Sequence, residues 1–294
     1  MIVFLNGKYF EADEARISLF DGGYLYGDGM FETLRTYAGR PFDLPGHLAR
    51  LSRNLEALGY AYRPDAGEIM AVLEELAARN GLADADARCR LTVSRGGDPA
   101  DPLPLAEHGD LPPTVSIFMT PLPAALAKWQ REGIAVLSMG AGFHRGDFPE
   151  LKTLNYLTTV TALRRAHAAG CQEALLVDGE SRVLEGATSN VFLAEAGALA
   201  TPPLELGLLA GRTRDMVMSL ASADGLVCRE APVALSDLRR ADEVFLCGSV
   251  KEIVPVVAVD GAPVGDGAPG PITSRLQKRY RRGVLDALGG GGGG

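Results

Sequence analysis

The sequence of 294 residues is poor in the residues that build disulfide frameworks and metal sites, with only four cysteines and four histidines. The cysteines are far apart and include no CxxC pair: Cys89, Cys171, Cys228 and Cys247. We therefore expect reduced thiols in a cytoplasmic protein. The histidines are equally scattered: His47, His108, His144 and His167. Their spacing predicts no metal centre.

Long apolar runs and an excess of positive charge are also missing. No apolar stretch approaches the length of a membrane span, and residues 1–8 lack the basic region of a signal peptide, so they predict a strand and a turn. Asp and Glu outnumber Lys and Arg by 37 to 29, which gives a formal net charge of −8. A field of this sign repels nucleic acid and anionic membranes, so we expect neither as a partner.

What remains is the composition of a globular protein, with 47% hydrophobic and 22% charged residues. Periodicity predicts a strand over residues 31–37, helices over residues 65–80 and 153–169, and alternating strands and helices after the prolines at 121 and 123. Length and pattern together predict an α/β protein with a small N-terminal domain (1–120), a connection (121–131), a larger C-terminal domain (132–288) and a flexible glycine tail (289–294).

Lys152 is the most informative residue, because it interrupts an apolar run that contains Leu151, Leu154 and Leu157. Burial disfavours an ammonium ion, and the neutral amine is a nucleophile towards carbonyl groups. The pattern therefore predicts a lysine that forms Schiff bases. The alternative is a lysine at the start of an amphipathic helix that extends its amine to the solvent.

Further weak signals accompany this lysine. Glu185 lies between apolar and small residues, where a carboxylate needs a partner unless it sits in a solvated turn. Thr213 follows a glycine at a predicted helix start, which favours either an anion site or a plain helix cap. A turn of small residues at Gly248 and Ser249 follows a strand, and Arg50 lies one helical turn after His47.

Together these motifs resemble the class IV pyridoxal-phosphate (PLP) aminotransferases, the family of the branched-chain and D-amino acid aminotransferases and of aminodeoxychorismate lyase. The resemblance runs from the glycine-rich residues 23–33 to residues 249–255 and covers nearly the whole chain. It implies a two-domain D-amino acid aminotransferase-like α/β fold with PLP in the interdomain cleft. It also implies a homodimer with shared active sites.

The resemblance assigns cofactor roles to nine residues. Lys152 resembles the lysine that forms the Schiff base with PLP, Tyr156 the residue at the O3′ atom, and Glu185 the partner of the pyridine nitrogen. That glutamate keeps the nitrogen protonated, so the ring withdraws electrons from the substrate. The residues that resemble the phosphate site or surround the glutamate are Arg50, Arg212, Thr213, Ser249, Thr188 and Ser189.

Substrate recognition is less uniform among the motifs. Phe31 occupies a position where D-amino acid enzymes of the family carry a tyrosine that helps to bind carboxylate. Arg90 resembles a substrate-carboxylate arginine of the branched-chain members, and its alternative is a surface strand arginine. Gly248 and Val250 resemble the turn whose N–H groups bind carboxylate, although the lyase branch usually has asparagine where Gly248 stands.

Three functions therefore stay open. The first is a ping-pong transaminase that moves an amino group between a D- or branched-chain amino acid and a 2-oxo acid. The second is aminodeoxychorismate lyase, which releases pyruvate and 4-aminobenzoate. The third is a PLP-binding protein with a regulatory or structural role. Amino-group transfer to a keto acid separates the first from the second.

Overall fold

The computed structural model describes residues 1–100, 111–140 and 148–289. The chain divides into two compact units, Met1–Leu122 with Leu151–Tyr156, and Pro123–Glu150 with Leu157–Gly294. The segment that contains Lys152 thus belongs to the first unit, whereas the sequence prediction placed it within 132–288. His108, His144 and glycines 290–294 of the predicted tail lie outside the described residues. Gly289 ends the last helix instead of beginning a tail.

The first unit contains six strands and three helices within its described residues. They are β1 (Ile2–Leu5), β2 (Lys8–Glu11), α1 (Gly22–Tyr26), β3 (Gly29–Tyr37), β4 (Arg40–Pro41), α2 (Leu44–Ala57), α3 (Ala66–Arg79), β5 (Ala87–Ser94) and β6 (Thr114–Pro121). The strands form one antiparallel sheet in the order β2-β1-β6-β5-β3-β4. Helices α2 and α3 bury the leucines of their apolar faces, including Leu51 and Leu76, in the core of this unit.

Residues 152–154 are extended, so the predicted helix over residues 153–169 was wrong at its start. The N–H of Phe31 donates to the Lys152 carbonyl at 3.0 Å, and the N–H of Leu154 donates to the Gly29 carbonyl at 2.9 Å. These bonds, with a bridge between Met30 and Thr153, bind the segment to β3. The backbone groups are satisfied by this pairing with β3, so the helix begins only at Leu157.

The glycine-rich stretch before β3 makes room for this segment. A Cβ on Gly29 would lie 2.5 Å from the Leu154 side chain, and Gly27 has a φ of +71°. Glycine density of this kind is typical of backbone with positive φ or in close approach to a neighbour, and both occur here. The short helix α1, which the sequence did not predict, begins at Asp21, whose carboxylate accepts the N–H of Gly23 at 2.8 Å.

The second unit has ten strands within its described residues. Its elements are α4 (Leu126–Glu132), β7 (Ile134–Ser138), α5 (Leu157–Ala168), β8 (Glu173–Val177), β9 (Arg182–Gly186), β10 (Asn190–Glu195), β11 (Ala198–Thr201), a 3₁₀ helix (Leu204–Leu206), α6 (Arg212–Ala223), β12 (Cys228–Glu230), β13 (Val233–Ala234), α7 (Leu235–Arg240), β14 (Glu243–Gly248), β15 (Glu252–Val259), β16 (Ala262–Pro263) and α8 (Pro271–Gly289). Helix α4 occupies much of the stretch that was predicted as a connection.

One mixed sheet organises the second unit, with the order β12-β11-β10-β14-β15-β7-β8-β9-β13 and β16 beside β15. The β14–β15 hairpin carries a turn of three residues, 249–251, and β9 leads into β10 through a second turn, 187–189. These two segments are called the 249–251 turn and the 187–189 turn below. They carry Thr188, Ser189, Ser249 and Val250, four of the predicted site residues.

None of the described helices combines the length and apolar character that a bilayer crossing requires. In the same part of the chain, no group of three or more His, Cys, Asp and Glu side chains is arranged to hold a metal ion.

Candidate active site

In the first unit, the predicted Schiff-base lysine lies beside an aromatic ring. Lys152 is partly buried, and its Nζ lies 4.6 Å from the centroid of the Phe31 ring. Phe31 is buried in β3, and its N–H holds the Lys152 carbonyl. A cation at this distance from an aromatic face is attracted to the ring. The partial burial matches the sequence prediction.

Arg90 in β5 lies on the same ring. Its guanidinium carbon is 3.5 Å from the Phe31 centroid, and its Nε donates to Thr92 Oγ1 at 3.3 Å. Burial lowers the pKa of Arg90 to about 10, while the Tyr156 phenol acts in the opposite direction. Among the residues that the structure describes, no carboxylate pairs with it. Arg90 is therefore half-buried, and its role as a ligand of the substrate carboxylate stays a prediction.

Tyr156 completes this group, since its ring meets the Phe31 ring edge-on at 5.3 Å and 87°. Within the first unit, three of the predicted site residues thus contact the ring of a fourth, Phe31: Arg90, Lys152 and Tyr156. A partly buried amine and a guanidinium without a carboxylate partner, both on one ring, can receive a small molecule that carries a carbonyl group and a carboxylate.

Arg50, predicted as a phosphate ligand, is fixed in a buried network that the sequence did not reveal. Its Nε and Nη2 donate to the two carboxylate oxygens of Glu32, each at 2.7 Å. His47 Nδ1 lies 2.7 Å from the same carboxylate. Burial raises the pKa of Glu32, but the hydrogen bonds and charge of Arg50, joined by His47, lower it to about 2. The fork geometry therefore holds the guanidinium of Arg50 in one orientation.

Glu32 and His47 are functional candidates that sequence reasoning did not assign. Glu32 is fully buried in β3, and a buried carboxylate requires partners of opposite charge. The only signal available in the sequence was the spacing of His47 and Arg50, one helical turn apart in α2. That spacing places both side chains on one face but does not identify Glu32 as their acceptor.

In the second unit, Glu185 lies in β9 and is buried, so its alternative as a solvated turn residue was wrong. Its carboxylate accepts the N–H of Leu209 at 3.3 Å and faces Asn190 Nδ2 at 3.4 Å. The Asn190 amide also donates to the Leu209 carbonyl at 2.9 Å. The carboxylate of Glu185 is thus a hydrogen-bond acceptor, the role that a ring N–H requires of its partner.

The anion site predicted at the start of α6 has the required open geometry. Its N-cap is Gly211, which has no side chain to cap the first N–H groups, and Thr213 is buried in the first turn. A Cβ on Gly211 would overlap Asn190 Oδ1, so this helix start packs against the amide that holds Glu185. Uncapped N–H groups and the helix dipole favour a bound anion. Thr213 is therefore not the cap of this helix.

The two turns carry the remaining predicted residues of the second unit and lie near each other. A Cβ on Gly248 would lie 3.3 Å from the Thr188 carbonyl oxygen. Ser189 Oγ is buried and has no hydrogen-bond partner within the described part of the chain. The Ser189 hydroxyl and the N–H groups at the start of α6 can bind a phosphate. The buried carboxylate of Glu185 can accept the N–H of a pyridine ring. The second unit therefore fits PLP.

Comparisons with known proteins agree with this chemistry. The family model "Amino-transferase class IV" matches residues 29–259. The chain is 37% identical over 284 residues to a Methanocaldococcus jannaschii protein whose name provisionally assigns it as a branched-chain-amino-acid aminotransferase, covering 96% of each. It is 35% identical over 287 residues to the Bacillus subtilis aminodeoxychorismate lyase, covering 98% of this chain and 96% of that protein. The Bacillus licheniformis D-alanine aminotransferase is 32% identical to this chain over 286 residues, which are 97% of this chain and 98% of that protein.

Solved structures show the same likeness. A T.th. branched-chain amino acid aminotransferase with pyridoxamine 5'-phosphate superposes with a TM-score of 0.83 and 29% identity. The match covers 98% of this chain and 94% of that one. The cofactor of that structure is the amino form of the group that the second unit fits.

Proposed function

Because the chain belongs to the class IV aminotransferases, which depend on PLP, we propose that it transfers the amino group of a D- or branched-chain amino acid to a 2-oxo acid. The observation that carries this proposal is the group around Phe31. There, the partly buried amine of Lys152 and the Arg90 guanidinium lie on one ring. An amine that binds a carbonyl carbon and a cation that binds a carboxylate are the two requirements of amino acid chemistry on PLP.

The cofactor residues have separate tasks in this proposal. Lys152 would hold the aldehyde group of PLP through its Nζ, and Glu185 would accept the N–H of the pyridine ring. When bound, PLP would withdraw electrons from the Cα of the substrate and so acidify its proton. Lys152 Nζ would be the base that moves this Cα proton.

Phosphate and ring contacts orient the cofactor rather than react. The guanidinium of Arg50, held by Glu32, is suited to bind the phosphate. The N–H groups at the start of α6 are suited to bind it as well. The remaining cofactor contacts proposed are Tyr156, Thr188, Ser189, Arg212, Thr213 and Ser249. Fixing the ring in one orientation converts binding energy into a higher rate at Cα.

Arg90 is the proposed ligand of the substrate carboxylate, together with the N–H groups of Gly248 and Val250. A guanidinium without a carboxylate partner among the described residues is neutralised when an anionic substrate arrives. Phe31 presents a ring without a hydroxyl, so an apolar side chain is the better fit beside it.

The direct test is a panel of D- and L-amino acids assayed against pyruvate and 2-oxoglutarate with the PLP-loaded enzyme. We expect amino-group transfer with parallel double-reciprocal lines, the pattern of a ping-pong reaction. Absence of transfer from every donor would reject the proposal.

Aminodeoxychorismate lyase is the second candidate, favoured by the 35% identity with the Bacillus subtilis enzyme of that name. Gly248 counts against it, since the asparagine common in that branch would press on the Thr188 carbonyl. Formation of 4-aminobenzoate and pyruvate from aminodeoxychorismate, with no transamination, would establish the lyase instead.

A homodimer with shared active sites is also proposed, supported by an exposed apolar segment at residues 17–26. Leu19 is 71% exposed and Tyr24 is 64% exposed, and four further large apolar side chains of this segment are exposed. Patches of this kind mark protein interfaces. We expect light scattering to give twice the chain mass. Leu19→Asp with Tyr24→Asp should lower that mass, whereas Leu285→Asp on exposed α8 should not.

A cytoplasmic location is proposed from the cysteines, which are all free. Burial raises the pKa of Cys89 to about 12, so this thiol stays protonated and unreactive. Titration of the unfolded protein purified without reductant should give four thiols. Fewer thiols would indicate an oxidising compartment.

A further inference from the structure

A partly buried lysine links the two turns of the second unit. Lys251 ends the 249–251 turn, and its side chain is 18% exposed. Its Nζ donates to Thr188 Oγ1 at 2.8 Å and forms an ion pair with Glu173 Oε2. Thr188 Oγ1 in turn donates to the same Glu173 oxygen at 3.0 Å. Three side chains from three elements therefore close a triangle of hydrogen bonds.

Glu173 is the buried carboxylate of this triangle, and it requires a partner of opposite charge. It begins β8 and is completely buried, and its Oε1 has no hydrogen-bond partner in the described part of the chain. Within the same part, Lys251 is the cation that pairs with it. Burial lowers the pKa of Lys251 to about 7. Removing either partner would leave the other charge buried and uncompensated.

The opposite side of the 249–251 turn is fixed as well. Gln130 Nε2 donates to the Lys251 carbonyl at 2.9 Å and to Glu252 Oε2 at 3.0 Å, and Arg281 Nε donates to the same oxygen at 3.1 Å. Glu252 has a φ of +56°, a conformation that L-residues rarely adopt without support from their surroundings. The main chain at Lys251 and the side chain of Glu252 are therefore anchored by Gln130 and Arg281. The Lys251 side chain links this anchored turn to the 187–189 turn.

We propose that Lys251 is a positioning residue of the cofactor site: paired with Glu173 and bonded to Thr188, it sets the spacing between the 187–189 turn and the 249–251 turn. This inference rests on the proposed function, in which Thr188, Ser189 and Ser249 contact PLP. Lys251 itself touches neither cofactor nor substrate. It acts by adding a side-chain link between two turns whose flanking strands β10 and β14 are already paired, and so it pre-organises their contacts.

A double-mutant cycle on PLP affinity tests the pair. Lys251→Met, Glu173→Gln and the double variant are prepared as apo proteins and titrated with PLP. We expect each single change to raise the dissociation constant about tenfold, because a buried hydrogen-bonded charge loses its partner. The double variant should also be weakened about tenfold rather than about a hundredfold, because the two residues act as one unit. Lys128→Met, at a lysine 69% exposed, is the matched control and should bind as wild type.

Hydrogen exchange in the apo proteins supplies a readout that does not use the cofactor. Lys251→Met should speed exchange at the amides of both turns and leave β14 protected. Additive effects on PLP affinity, or unchanged affinity and exchange, would overturn the proposal. If Lys251→Met does not fold, Glu173→Gln alone decides by the same two measurements. Failure of the wild-type protein to bind PLP would instead reject the proposed function, while the exchange result would still judge the link between the turns.

Discussion

Lys152 and Arg90 share one aromatic neighbour: their charged groups lie 4.6 Å and 3.5 Å from the centroid of the Phe31 ring. A partly buried guanidinium without a carboxylate partner among the described residues, such as that of Arg90, is stabilised when an anion neutralises it. We therefore expect a ligand carboxylate at Arg90 and a ligand carbonyl carbon at Lys152.

Replacing the reactive lysine should separate cofactor binding from chemistry. In Lys152→Ala we expect the visible absorption of covalently held PLP to vanish and turnover to fall about a thousandfold or more. Borohydride reduction followed by peptide mapping should attach the pyridoxyl group to residue 152 in the wild-type protein. Lys128→Ala is the control and should keep both properties. Normal turnover in Lys152→Ala would refute the assignment.

Replacing Arg90 should affect the substrate rather than the cofactor. In Arg90→Ala we expect the substrate KM to rise at least about tenfold, because an ionic hydrogen bond to the carboxylate is lost. The dissociation constant of PLP should stay within about twofold of wild type. Arg88→Ala, at an exposed arginine of the same strand, is the control for a change in charge. Loss of PLP binding in Arg90→Ala would make Arg90 structural.

The Glu32 network predicts a specific loss of stability in acid. The pKa of Glu32 is about 2 in the folded protein and near 4.5 ordinarily, so its stabilising contribution is complete above pH 4.5 and is lost as pH falls towards 2. That difference is worth about 3 kcal/mol. Urea unfolding at about pH 6 and about pH 3 should therefore show a larger decrease for wild type than for Glu32→Gln.

In Glu32→Gln we also expect a loss of about 3 kcal/mol near neutral pH, because Arg50 would be buried without its counter-ion. Equal acid sensitivity of the two proteins would mean that Glu32 is protonated or unpaired in the fold. Glu56→Gln, at an exposed carboxylate of α2, is the matched control.

A single added methyl group should disturb the support of Glu185. In Gly211→Ala the new Cβ would displace the Asn190 amide, which faces Glu185 and holds the Leu209 carbonyl. We expect PLP affinity to fall about tenfold through the disturbed hydrogen bonds. Gly179→Ala, where a Cβ has open space, should bind PLP normally. Unchanged affinity in Gly211→Ala would show that Asn190 can move without cost.

The sequence predicted those parts of the structure whose causes are local. The helix expected over residues 65–80 is observed as α3 with Asp65 and Asn80 as its caps, because the apolar stripe and the cap residues lie within one segment. The strand expected over residues 31–37 is observed within β3 (Gly29–Tyr37). The family and its PLP chemistry were likewise predicted from motif order, and the comparisons confirm them.

Parts that depend on partners distant in sequence were not predictable in this way. The extended form of residues 152–154 is set by hydrogen bonds to β3, more than a hundred residues earlier. Glu32 gives no sign in the sequence that it binds Arg50, and Lys251 gives none that it pairs with Glu173. Each of these contacts joins residues that are distant in sequence and become neighbours only in the folded protein.

The first unit is discontinuous in sequence, so the placement of Lys152 depends on the order of synthesis. Leu151 is buried in the same core as Leu34 and Leu51, although the chain has meanwhile passed through α4 and β7. A nascent chain that has reached only Leu122 therefore lacks both a core side chain and the pairing along β3. Lys152 arrives with the last piece of this unit, so the amine is placed beside Phe31 in the step that completes the N-terminal core.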